Sequence, residues 1–509
     1  MIPLSLAEVA RATDGRVAAG DARTLVHAVT TDSRHVPRDA LFVALKGEHH
    51  DGHDYVAAAR RAGAAGYLAE RQLPAVSGAV VVADARRAVA DLARVVRDRV
   101  DPVVVAITGS VGKTTTKDLV AAAVGAGRST VAAPGSFNNE LGVPLTCLAA
   151  EADTEVLVVE VGARAIGHVA ALMPLVRPDL AIVTAIAGAH VETFGDLDAV
   201  AAAKGELVEA LEPADAALLN ADDARVVALS ERTRARVVTF GRRGRVRVGG
   251  ADVPVDVVAQ VVDLDRLGRA RFHVRSPWGP VDVSVPLAGE HQVSNALAAL
   301  ATAGLLGVDL EAAAAGIASA RVSSWRSEVR EVSGVVVLND AYNANPASMQ
   351  AALRTLVAVA RSGGERSGIS PPVQVCGPSR ELSGRRRTWA VLGLMAELGP
   401  DSRGEHEAIG RYCVRLGVDR LLVVGEEAAP IAKGADLEGF FSEGVWQTTS
   451  TASALEILRA QVAPGDVVLV KGSRVAGLEA VAAGLLDALE RHESSMPAGW
   501  PHEVAEEAR

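Results

Sequence analysis

Residues 103–115 read Val-Val-Val-Ala-Ile-Thr-Gly-Ser-Val-Gly-Lys-Thr-Thr. The first six are apolar or β-branched and suit a buried strand, the Ala-rich run beyond suits a helix, and the glycines fall on the turn between them. Such a unit aims backbone N–H groups and the positive end of a helix at one point, which is a phosphate site. Gly109, Ser110, Val111, Gly112, Thr114 and Thr115 are therefore expected to wrap ATP or GTP. Lys113 is expected to neutralise the outer phosphates, and the Thr114 hydroxyl to ligate magnesium. The general phosphate-loop pattern has another glycine five residues before Gly112, where this chain has Ile107. That shortened loop separates it from ordinary kinases and GTPases.

Outward from this unit, short Val/Ile runs at 103–108, 156–161, 180–186 and 217–220 alternate with Ala-rich stretches, the pattern of a parallel sheet flanked by helices. Glu160 interrupts the end of the second run and His190 sits in the loop after the third. Both fall at the carboxyl edge, where open α/β sheets collect ligands, and both are expected to hold metal. Lys204, in an expected helix over 197–211, reads on physical grounds as a solvated helix lysine.

A length of 509 residues suggests three domains. The first is placed at 1–100, the second at 101–322 and the third at 323–490, with a polar tail at 491–509. Residues 243–285 read as antiparallel strands inserted in the second domain. The third is expected to carry strands at 335–338, 390–392, 420–424 and 466–470, and a Gly/Ser/Pro/Arg-rich segment at 361–387. A net charge of −10 with interspersed signs excludes a basic face for nucleic acid or an anionic membrane. No apolar run is long enough to span a bilayer, and the start lacks the form of a signal peptide. Three cysteines without ligand spacing fit a reducing compartment. A cytoplasmic enzyme acting on small molecules is expected.

Several strings together resemble the Mur ligase family: Thr108-Gly-Ser-Val-Gly-Lys-Thr-Thr-Thr116, Phe137-Asn-Asn-Glu-Leu-Gly-Val-Pro144, Gly188-Ala-His-Val-Glu192 and Ala203-Lys-Gly-Glu206. Thr31-Asp-Ser-Arg34 and Asp51-Gly-His-Asp54 resemble its uridine-diphosphate-binding domain, and Asn339-Asp-Ala-Tyr-Asn-Ala-Asn-Pro346 and Val470-Lys-Gly-Ser-Arg474 its last domain. The resemblance implies an α/β chain of three domains, with a central phosphate-loop parallel sheet and a C-terminal Rossmann-like unit. It implies a monomeric, ATP-dependent amide ligase of peptidoglycan precursor synthesis. This ligase adds D-alanyl-D-alanine to UDP-N-acetylmuramoyl-tripeptide through an acyl phosphate.

By the same resemblance Thr114 and Glu160 serve one Mg2+ and His190 and Lys204 a second, with Lys204 carbamylated. Asn295 lies against adenine, Arg326 and Asp340 near the γ-phosphate and ribose, and Tyr342 and Asn343 in the same cleft. Ser136, Asn138 and Asn139 face substrate phosphates, and Ser33, Arg34 and Lys46 the uridine end. Residues near Ser323 form the hinge. Leu394 departs from the family, which has Asp there. Two alternatives stand beside this reading: a sibling ligase adding a third-position diamino acid, whose Asp-Asn-Pro-Arg string is missing here, and a nucleotide switch that ligates nothing.

Overall fold

The computed structural model describes residues 1–74, 76–188, 194–248, 250–362, 385–440 and 444–495. Three sheets carry the fold. The first orders its strands Arg16–Ala19, Ala79–Val81, Gly66–Ala69, Ala40–Val43 and Ala28–Thr30, parallel except for the first pair. Ala40–Val43 and Gly66–Ala69 are buried at every position, as continuous apolar strands between helices must be. The helix Ala85–Val100 follows, its N-terminal N–H groups capped by Asp84. It packs Val89, Leu92 and Val96 into the same core as Val104, Val143 and Leu148, which fastens the first sheet to the second.

In the nine-stranded second sheet, Val103–Thr108 lies between Val156–Glu160 and Leu180–Val183. Thr130–Ala132 forms one edge, and Ala216–Asn220 and Arg236–Gly241 continue the parallel run on the other side. Side chains alternate between faces: Val104 and Ala106 enter one core, Val105 and Ile107 the other. The antiparallel strands expected as an insertion instead extend this sheet, as Val257–Leu264, Arg269–Ser276 and Gly279–Ala288. Their Val257, Phe272, Val274, Val281 and Val283 bury with Ile107 beneath the helix Gln292–Leu305, so hydrophobic continuity joins them to it. Only the hairpin Arg245–Val248 with Ala251–Pro254 stands apart.

The third sheet runs Glu328–Val332, Val335–Asn339, Val467–Lys471, Thr388–Leu392, Arg420–Val424, Val445–Thr448, with only the first pair antiparallel. Its two edge strands, short and half-exposed, have no apolar run to give them away in the sequence. The helix Pro346–Ser362 enters the 361–387 segment from one side. At the other end Arg385 reaches Asp419 at 2.5 Å and Arg387 reaches Asp466 at 2.7 Å. The segment's two ends therefore belong to the domain, and its residues 363–384 lie outside the described residues. The last helix, Glu479–Ser495, carries regular structure beyond residue 490, where the tail was expected to begin. Among the described residues no helix is long and apolar enough to cross a membrane.

Candidate active site

The carboxyl edges of the second and third sheets face each other across a cleft of about 1190 Å³, which the helix Ala85–Val100 also borders. At its centre is the turn from Val103–Thr108 into the helix Lys113–Gly125. Gly109 has φ +149° and Gly112 φ +84°, conformations that favour glycine. A Cβ on Gly109 would stand 1.9 Å from Thr184 Oγ1, and one on Gly112 would stand 2.8 Å from Asn295 Oδ1. Thr184 in turn donates to Val111 O at 2.6 Å, and Ser110 Oγ to Ala187 O at 2.8 Å, so the next strand braces the loop. Gly109→Ala is accordingly expected to destabilise the chain by about 3 kcal/mol or more, combining a clash with a glycine-only conformation. Urea unfolding measures it, and an unchanged midpoint would contradict the loop geometry.

Around the loop the predicted groups converge. Lys113 Nζ donates to Gly109 O at 2.8 Å, and burial pushes its pKa below the usual lysine value, opposed by the Glu160 carboxylate. Thr114 Oγ1 donates to Glu160 Oε2 at 2.8 Å and lies 3.0 Å from Ser136 Oγ, while Asn138 Nδ2 donates to Glu160 Oε1 at 2.7 Å. Asn139 lines the same wall. Arg326 crosses from the third domain to donate from Nη2 to Ser136 Oγ at 2.8 Å, its guanidinium 4.1 Å from the centre of the Tyr342 ring.

Lys204 is not the solvated lysine its helix suggests. It is 2% exposed, and burial together with the neighbouring Lys113 charge brings its pKa down to about 7. The helix Leu197–Glu209 turns this face to the cleft, and the acidic neighbour, Glu206, is spent on Gly167 and Ala170 N–H groups at the start of another helix. His190 lies outside the described residues. Among the described residues, no three His, Cys, Asp or Glu side chains cluster as a metal site.

Three predicted roles meet a different geometry. Asn295 has both ends of its amide occupied within the protein, accepting from Thr116 Oγ1 at 3.1 Å and donating to Gln292 Oε1 at 2.7 Å. Asp340 accepts from Lys471 Nζ at 2.5 Å and from Ser327 N at 2.9 Å, so it ties the interdomain linker to the third sheet. Ser33, Arg34 and Lys46 are not among the residues lining the cleft, and Arg34 is folded back onto Asp32 at 2.9 and 2.8 Å. Arg86, Arg87 and Arg94, spaced to share one helix face, line it instead, and Arg86 Nη2 reaches Lys46 O at 3.5 Å.

Other residues that sequence reading passed over also border the site. Lys471, 2% exposed, donates to Asn343 O at 2.8 Å as well as to Asp340. His291 lines the cleft with its side chain exposed there, and desolvation by the surrounding protein brings its pKa down to about 4, which keeps it neutral beside Asp340 and Lys471. His406, completely buried, has Nδ1 at 2.6 Å from Ser402 O and accepts from Met395 N on Nε2 at 2.9 Å. With Ser473 N donating to Leu394 O at 2.8 Å, it holds the turn that presents Ala396 and Glu397 to the cleft. That turn needs no polar side chain at Leu394.

A phosphate-loop sheet facing a second parallel sheet, with cations from both at the loop, is the arrangement of an ATP-dependent ligase. Comparison with known proteins makes this specific. Residues 25–103 match the profile of the Mur ligase family catalytic domain, 107–303 the Mur ligase middle domain, and 377–474 the Mur ligase glutamate ligase domain. The chain is 39% identical, over 96% of its length and 98% of the relative's, to UDP-N-acetylmuramoyl-tripeptide–D-alanyl-D-alanine ligase of Mycobacterium tuberculosis. The crystal structure of MurF from Acinetobacter baumannii superposes with a TM-score of 0.78 at 30% identity, covering 95% of this chain and 99% of that one. MurF ligase from Thermotoga maritima in complex with ADP superposes with 0.72 at 26% identity, covering 92% and 99%. The chain belongs to the Mur ligase family.

Proposed function

We propose that this chain joins D-alanyl-D-alanine to the free carboxylate of UDP-N-acetylmuramoyl-tripeptide, using ATP and releasing ADP and phosphate. The agreement over nearly the full length of both chains with ligases of that activity carries this reading. It is taken to act as a monomer in the cytoplasm.

A carboxylate is a poor acyl donor until its oxygen becomes a leaving group, which transfer of the γ-phosphoryl of ATP accomplishes. Carboxylate and triphosphate repel, and the groups that offset this are in place. Lys113 and Lys204 face the cleft, and Arg326 carries a buried Nε without a hydrogen-bond partner among the described residues. The oxygen donors of Thr114, Glu160 and Ser136 suit Mg2+, which supplies charge neutralisation and in-line positioning when bound. With a pKa of about 7, Lys204 has a substantial fraction of free amine near neutrality. Carbamylation requires that form, and it converts a repelling cation into an anionic ligand for a second Mg2+, shared with His190. Asn138 and Asn139 are assigned to substrate phosphates. Asn295 and Asp340 are assigned to adenine and ribose on exchange of their present partners, and Tyr342 and Asn343 to the same cleft. Ser33, Arg34 and Lys46 are assigned to the uridine end. The domains are assigned as 1–100 for the UDP substrate, 101–322 for ATP and 323–490 for closure about Ser323, which excludes water from the acyl phosphate.

Phosphate release with ATP, Mg2+ and the UDP-tripeptide tests the reading. D-alanyl-D-alanine is expected to stimulate it strongly and to appear in the product by mass. Stimulation by a diamino acid alone would move the assignment to the sibling ligase, and equal release without acceptor would leave a nucleotide switch.

A further inference from the structure

Trp325 has φ +62°, a left-handed conformation that is a genuine outlier for a bulky side chain, and Ser327 two residues on has φ +50°. Strain of this kind persists only where surrounding contacts over-determine it. Those contacts are explicit. The Arg474 guanidinium lies 4.3 Å from the centre of the Trp325 ring and is itself paired with Glu479. Trp325 O accepts from Tyr342 N at 3.1 Å, and Ser327 N donates to Asp340 Oδ1 at 2.9 Å. Between the two strained residues stands Arg326, stacked on Tyr342 and bonded to Ser136 across the cleft. Trp325 is not among the residues lining the cleft, whereas Arg326, Ser327, Tyr342 and Arg474 all are.

We infer that Trp325 is a positioning residue. With its ring under Arg474 and its carbonyl held by the Tyr342 N–H, Trp325 keeps the linker in the left-handed turn that delivers Arg326 from the third domain to the phosphate loop. The inference rests on the ligase reading for the group that Arg326 meets, the outer phosphate of ATP. Alternating Arg–aromatic stacks fix both sides of the turn, the partly exposed Arg474 on Trp325 and Arg326 on Tyr342.

The signature is a variant that separates stability from catalysis. In Trp325→Gly the left-handed turn is no longer strained, so the unfolding midpoint is expected to stay level or rise. The turn also loses its clamp, so kcat is expected to fall about 10²-fold, as misplacement by an ångström does. Affinity for a non-hydrolysable ATP analogue is expected to fall relative to affinity for ADP. Trp325→Phe, keeping a ring under Arg474, is expected to retain most activity. Trp325→Gly combined with Arg326→Ala should fall no further than Arg326→Ala alone, because the first acts through the second. A Trp325→Gly chain less stable than the parent, or one with unchanged kcat and nucleotide preference, overturns the inference, as does an additive double variant. The nucleotide-affinity readout needs no acceptor, so a parent chain that binds ATP without making the dipeptide product would fail the ligase reading and still decide this one.

Discussion

Lys113→Met is expected to lower ATP-dependent ligation by about 10³-fold or more, the scale on which a positioned cation stabilises charge in phosphoryl transfer. The ammonium is held at the loop by Gly109 O, and no other lysine shares its place at the start of the helix Lys113–Gly125. Burial already disfavours its charged form, so replacing it with an apolar side chain of similar length should cost the fold little. Single-turnover kinetics alongside thermal unfolding separates the two quantities. A folded Lys113→Met chain within tenfold of the parent would remove the phosphate loop from the mechanism.

Lys204→Ala is expected to be nearly as severe, a loss of about 10²–10³-fold, comparable with loss of a single oxyanion-hole donor. A small carboxylate such as acetate, able to enter the space the side chain leaves, should restore part of the activity if the working form of Lys204 is anionic. Rescue by an added amine and not by carboxylate would show instead that the cation is needed. In buffer freed of carbon dioxide the same residue should shape stability. Its pKa is about 7 in the fold against the ordinary lysine value of 10.5, so between those values the unfolded chain binds the extra proton. The parent should therefore gain stability relative to Lys204→Ala as pH rises from about 7 towards 10.5, and lose that gain as pH falls back through 7. A stability difference that stays flat across that window would mean the lysine is not held uncharged.

The phosphate loop was legible because its chemistry is local. Strand, glycines, Lys113 and Thr114 occupy consecutive positions, and the strand appears where the apolar run puts it, at Val103–Thr108. Glu160 could be read as well, a carboxylate ending an otherwise apolar strand. Lys204 was misjudged on physical grounds because burial of a helix face depends on what packs over it, and nothing within Leu197–Glu209 announces the cleft. Lys471 and His406 escaped for a related reason. Lys471 works through Asp340 and Asn343, distant in sequence, which only folding brings to it, whereas His406 works through the nearby Ser402 and Met395 by a burial that the sequence does not announce. The antiparallel strands of the second domain were legible but not the sheet they join, since alternation reveals a strand and not its neighbours. The arginine face of the helix Ala85–Val100 looks like an ordinary solvated face until the cleft beside it is seen.

The most direct measurement follows oxygen. With the terminal carboxylate of the UDP-tripeptide labelled with 18O, transfer of the γ-phosphoryl to that carboxylate and its displacement by D-alanyl-D-alanine must leave one labelled oxygen in the released phosphate. One 18O per phosphate is expected, with a product heavier by the dipeptide residue and appearing only when the dipeptide is present. Unlabelled phosphate accompanying product would rule out the acyl phosphate, and unlabelled phosphate without product would mean that the cleft hydrolyses ATP and ligates nothing.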